Sequence, residues 1–139
     1  IVTDTQMAKA GINKRSLARY GGQVHCFMSD EDVAAAAKAA GTTRATASMD
    51  KAASLGGNFI YAVGNAPTAL VRLYELIQEG KINPKLIIGV PVGFVNVVAS
   101  KELIMETEVP WIVARGRKGG SNIAACICNA LLYMLNNER

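Results

Sequence analysis

The sequence predicts an α/β fold: a mostly parallel five-stranded sheet with helices on both faces. Three observations predict it. Short apolar runs alternate with stretches of helical periodicity. The clearest runs, in Asn58–Val63, Leu86–Val92 and Trp111–Ala114, lack apolar/polar alternation, as expected of strands covered on both sides. Each of the three also runs into a turn rich in glycine: Gly64, then Gly89 and Gly93, then Gly116, Gly119 and Gly120.

Taken in order, Ile1–Thr3 is the first strand and Gln23–Met28 the second. A helix follows over Asp30–Ala40, with Ser29 as its N-cap, Asp32 in its first turn and Gly41 ending it. Thr42 or Thr43 caps the next helix, which runs to about Leu55. After the third strand, Asn65 is placed to cap a helix over Ala66–Glu79, with Pro67 in its first turn and Gly80 at its stop. Helices are also expected over Asn96–Met105 and Gly120–Leu135. This strand–helix alternation is of the Rossmann-like kind, in which ligands bind beyond the carboxyl ends of the strands.

Half of the 139 residues are apolar and no linker or repeat interrupts them, so residues 1–139 are read as one domain. No apolar run is long enough for a membrane helix and no signal peptide is visible. The three cysteines, Cys26, Cys126 and Cys128, form no C-x-x-C pair; a reducing cytoplasm suits them better than a disulfide framework. His, Asp and Glu are absent around Cys126 and Cys128, so no metal site is expected. The net charge of +4 favours anionic partners. Scattered Lys and Arg, with aromatics only 6% of residues, argue against a nucleic-acid binder.

Four segments could carry chemistry. In Gly64-Asn65-Ala66-Pro67, the turn into a helix offers backbone N–H groups to an anion, or is simply a well-made turn. Gly89-Val90-Pro91-Val92-Gly93-Phe94-Val95 has neither acid nor base; it reads as core, or as an apolar wall for a flat ligand. Ser100-Lys101-Glu102 beyond it reads as a solvated helix face. Arg115-Gly116-Arg117-Lys118-Gly119-Gly120-Ser121 places three cations at a strand's carboxyl end and points to phosphate or carboxylate binding, although it matches neither a P-loop nor a dinucleotide fingerprint. Arg44, at a helix start, could grip a carboxylate, and Asn13-Lys14-Arg15 is a weaker basic cluster. His25 has no acid or Ser at a catalytic spacing and reads as a packed residue; Asp4 ends the first strand either as a catalytic carboxylate or as the cap of a turn.

Taken together, IVTDTQMAKAGI, GTTRATAS, AVGNAPTALVRLYELI, LIIGVPVGFVNVVASKE and VPWIVARGRKGGSNIAACICNALL resemble the precorrin-8X methylmutase family over nearly the whole chain. The resemblance implies a cytoplasmic homodimer without an organic cofactor. It would move a methyl group from carbon 11 to carbon 12 of a corrinoid polycarboxylate, a step in cobalamin biosynthesis. Substrate binding would then fall to Arg44, Gly64, Asn65, Pro91, Val92, Gly93, Phe94, Arg115, Gly116, Arg117, Gly119, Gly120 and Ser121. The resemblance also implies a histidine general acid in N-terminal helices that precede the family's first strand. His25 stands where the family favours an aliphatic residue, so that role does not transfer to it, and about 60 to 70 further residues are expected upstream. An alternative from the residues alone is a non-catalytic anion- or nucleotide-binding module.

Overall fold

The computed structural model describes residues 1–56 and 58–136. Five strands form one sheet: β1 (Val2–Thr3), β2 (His25–Cys26), β3 (Ile60–Val63), β4 (Leu86–Gly89) and β5 (Trp111–Val113). All neighbours pair in parallel, in the order β2-β1-β3-β4-β5. The chain grows one way from β1 to β2 and the other way through β3, β4 and β5. The topological switch point therefore lies between β1 and β3.

Among the described residues the helices are α1 (Gln6–Gly11), α2 (Lys14–Ala18), α3 (Glu31–Ala40), α4 (Arg44–Ser54), α5 (Pro67–Gln78), α6 (Val97–Met105) and α7 (Ser121–Asn136). Side chains of adjacent strand residues enter opposite layers. Tyr61, Val63 and Ile87 join the layer containing Leu70, Leu73 and Leu76 of α5 and Ile104 of α6. Ala62 and Ile88 join the other layer, with Ile12, Leu17 and Ala124, Ala125, Cys128 and Leu132 of α7. The three α5 leucines are almost fully buried. Each contributes roughly 1.5–3 kcal/mol relative to an exposed side chain.

Several sequence expectations need correction. The strands are shorter than their apolar runs; β4 stops at Gly89, Val90 N–H makes one last bond to Val63 O at 2.8 Å, and Pro91, which has no N–H, carries the chain into the turn. The helices α1 and α2 were not expected. They are six and five residues long, too short to show a clear period, and each is capped by a side chain: Thr5 accepts from Ala8 N–H, and Asn13 from Ser16 N–H. Asn13 and Lys14 thus serve helix ends, Lys14 donating to carbonyls at the end of α1. The N-cap of α3 is Asp30 rather than Ser29, and its side chain makes no capping bond. Its carboxylate instead pairs with Lys51 at 2.6 Å, which also holds Asp32 at 3.0 Å. Thr43 caps α4, and Gly41 closes α3 in the left-handed conformation at φ 68°.

Candidate functional site

The carboxyl ends of the strands are tied to one another by their own polar groups. Asp4, the residue after β1, is fully buried. One carboxylate oxygen accepts from Gly64 N–H at 2.9 Å; the other accepts from Asn65 N–H at 2.9 Å and Ala66 N–H at 2.7 Å. Asp4 therefore caps α5 from across the switch point. Asn65 does not act as the cap: it is exposed, and the residue in the N-cap position is Ala66. Burial pushes the Asp4 carboxyl above its ordinary pKa, and the three amides oppose that shift. The same contacts remove the first sequence-predicted anion cradle, because the three amides that would grip a phosphate already hold a carboxylate.

The β4 and β5 turns are interlocked in the same way. Gly93 N–H donates to Arg117 O at 3.0 Å, and Gly120 N–H donates to Val90 O at 2.8 Å. A Cβ on Gly119 would stand 2.0 Å from Val90 O, and one on Gly64 would stand 2.6 Å from Ser121 Cα. These two glycines are thus required by backbone contact. Ser121, at the start of α7, shares a 2.8 Å hydrogen bond with Thr5 beyond β1. Gly64, Pro91 and Gly120, which are buried, and the more accessible Gly93, Arg117, Gly119 and Ser121 therefore come together at the carboxyl ends of the strands. The amides of Gly64, Asn65, Gly93 and Gly120 are all bonded at these tips. Arg115, Arg117 and Lys118 are exposed there.

The apolar motif divides into two parts. Val90 and Pro91 are buried under the turn, as the core reading expected. Val92, Phe94 and Val95 turn outward, 47%, 80% and 78% exposed. The Arg117 guanidinium lies over the Phe94 ring, 5.1 Å from its centroid. That is a cation–π distance, and it places a fixed cation on the border of an apolar face. Arg44 stands apart. It is exposed at the start of α4, whose cap Thr43 donates to Thr68 at the start of α5, 3.1 Å away. Arg44 thereby sits near the β3 turn, without a contact to the Arg117 surface. His25 is half-buried on edge strand β2 and stacks on Phe27.

Two residues beside this site were misread from sequence. Ser100 and Lys101 do not lie on a solvated face; both are buried, Lys101 to 1% exposure. The Lys101 ammonium donates to Ala114 O at 2.6 Å, Gly116 O at 2.7 Å and Lys118 O at 3.0 Å. Burial lowers its pKa. The signal was in the sequence: Val97, Ser100, Lys101 and Ile104 follow i, i+3, i+4, i+7, so the lysine falls on the inward stripe of α6.

The model of the family described as precorrin-8X methylmutase matches residues 1–134. The chain belongs to the precorrin-8X methylmutase family. It is 49% identical over 136 residues to the cobalt-precorrin-8 methylmutase of Salmonella typhimurium, covering 97% of this chain and 63% of that protein. It is 46% identical over 137 residues to the cobalt-precorrin-8 methylmutase of Priestia megaterium, covering 99% of this chain and 61% of that protein. The chain thus spans somewhat less than two thirds of the length of these curated relatives. A crystal structure of precorrin-8X methylmutase from Thermus thermophilus superposes with a TM-score of 0.90 at 41% identity, over 98% of this chain and 66% of that one. Among the described residues, no helix is long and apolar enough to cross a membrane, and no group of three His, Cys, Asp or Glu side chains is placed to hold a metal ion.

Proposed function

We propose that this protein catalyses the methylmutase reaction, moving a methyl group from carbon 11 to carbon 12 of precorrin-8X or its cobalt complex to give hydrogenobyrinate or cobyrinate. The observation that carries the reading is the exposed Phe94 with the Arg117 guanidinium over its ring at the carboxyl end of a parallel sheet. The substrate is a broad, flat, largely apolar ring fringed with carboxylates. Such a ring needs an apolar platform and a rim of cations, and Val92 with Phe94 and Arg115 with Arg117 supply these side by side. Arg44 reaches a more distant carboxylate from the β3 side.

The rearrangement stays within one molecule. The residues of this site hold the ring and orient its reactive edge, and a positioned acid then protonates it. His25 is not that acid, because its ring is stacked on Phe27 away from the platform. The reaction needs no organic cofactor. The protein acts as a homodimer in the cytoplasm, where a reducing environment suits the free Cys26, Cys126 and Cys128. Incubating the full-length protein with precorrin-8X and following the ultraviolet–visible spectrum tests the proposal. Conversion to hydrogenobyrinate is the expected result; a substrate spectrum unchanged at high enzyme concentration overturns it.

A further inference from the structure

We infer that Lys101 is a positioning residue that builds the carboxylate-binding loop from behind. The inference rests on the reading of Arg115 and Arg117 as substrate-carboxylate donors. The Lys101 ammonium has three protons, and each meets a carbonyl of an alternate loop residue: Ala114, Gly116 and Lys118. Arg115 and Arg117 are the residues between. The carbonyl of Arg117 points the other way, to Gly93 N–H. Successive peptide groups are therefore held on opposite sides, and the segment is an ordered shelf between α6 and the β4 turn.

A buried ammonium is a costly way to order a loop. Among the described residues no carboxylate forms an ion pair with Lys101, so its charge is compensated by carbonyl dipoles alone. That arrangement leaves a net positive charge immediately behind a surface that already carries Arg115, Arg117 and Lys118. In a low-dielectric setting this charge strengthens the attraction for an anion in front of the loop. A purely structural clasp could be made by a neutral donor; a lysine also adds to the field.

The test uses K101M and K101Q in the full-length protein. Both variants are expected to lose about ten- to a hundredfold in affinity for the corrinoid polycarboxylate, the range of a displaced charge-assisted contact. The loss appears in KM, with kcat at saturation within about threefold of wild type, since a group that acts through carboxylate binding stabilises ground state and transition state alike. Hydrogen exchange speeds up at the Gly93 and Gly120 amides, which tie this loop to the β4 turn, while the β3 and β4 amides stay protected. A variant that binds within threefold of wild type, or a loss confined to kcat, overturns the inference. If neither variant folds, 15N-lysine labelling of the wild type decides. A slowly exchanging Lys101 ammonium resonance that shifts on substrate titration supports the role, and one that does not move refutes it. Exchange at Gly93 and Gly120 can be measured without substrate. If the wild-type protein does not bind the corrinoid, accelerated exchange in the variants keeps the loop-ordering role and removes only the substrate reading.

Discussion

Replacing Gly64 by Ala tests whether the strand tips are as tightly joined as the geometry requires. A Cβ at this position would meet Ser121 Cα at 2.6 Å, Gly120 O at 2.7 Å and Gly120 C at 2.8 Å. Ordinary carbon contacts lie at about 3.5–4.0 Å, so the β3 turn and the start of α7 would have to part by roughly 1 Å. All three contacts are backbone atoms, so no rotamer change relieves them. Parting them strains the Gly120 N–H bond to Val90 O and the Thr5–Ser121 hydroxyl bond, each 2.8 Å long. Overpacking costs about 1–3 kcal/mol and a lost hydrogen bond about 0.5–1.5, which gives roughly 2–4 kcal/mol in all. The assay is urea unfolding of G64A followed by circular dichroism, with G41A as the comparison. Gly41 has φ 68° and open space around its Cβ position, so an alanine there carries only the left-handed backbone cost of about 1–2 kcal/mol. If G64A lies within 0.5 kcal/mol of wild type, with the Gly120 amide still protected from exchange, the interlocking described for these turns is refuted.

Three further outcomes are expected. Phe94 is mostly exposed, so F94A should change stability by under about 0.5 kcal/mol but weaken ring binding about tenfold; unfolding curves and corrinoid titration separate the two, and wild-type affinity would remove Phe94 from the platform. D4A leaves the amides of Gly64, Asn65 and Ala66 without their acceptor and should lower stability by roughly 2–4 kcal/mol, with faster exchange at those amides; unchanged exchange there would contradict the capping role. Burial raises the Cys128 thiol from 9.0 to about 11. Because the folded pKa is the higher one, this group's contribution is fully present below about pH 9 and is lost as pH rises towards 11, roughly 2–3 kcal/mol in total. The pH dependence of unfolding should therefore steepen in that window for wild type and not for C128A.

Much of the fold could be read from local pattern. Ile60–Val63 and Leu86–Gly89 are continuous apolar segments because helices cover both sheet faces, and the two-sided core of Tyr61 against Ala62 confirms why no alternation was seen. Capping was less legible where the partner is distant in sequence. Nothing near Asn65 reveals that a carboxylate sixty-one residues earlier holds its amide. The glycine turns were read as offering free N–H groups, but a parallel sheet must satisfy the donors at its tips, and here Asp4, Val90 and Arg117 do so. Phe94 and the arginines, which the motifs had already singled out, are exposed side chains at these tips. Lys101 escaped because a cation between Ser and Glu suggests solvent, although its helical register placed it inward.

The structure of the full-length protein with hydrogenobyrinate bound tests the central claim most directly. The account predicts the ring face lying on Phe94 and Val92, with peripheral carboxylates hydrogen-bonded to Arg115 or Arg117. A ring seated on another face, with Phe94 and both guanidinium groups still in solvent, would contradict it.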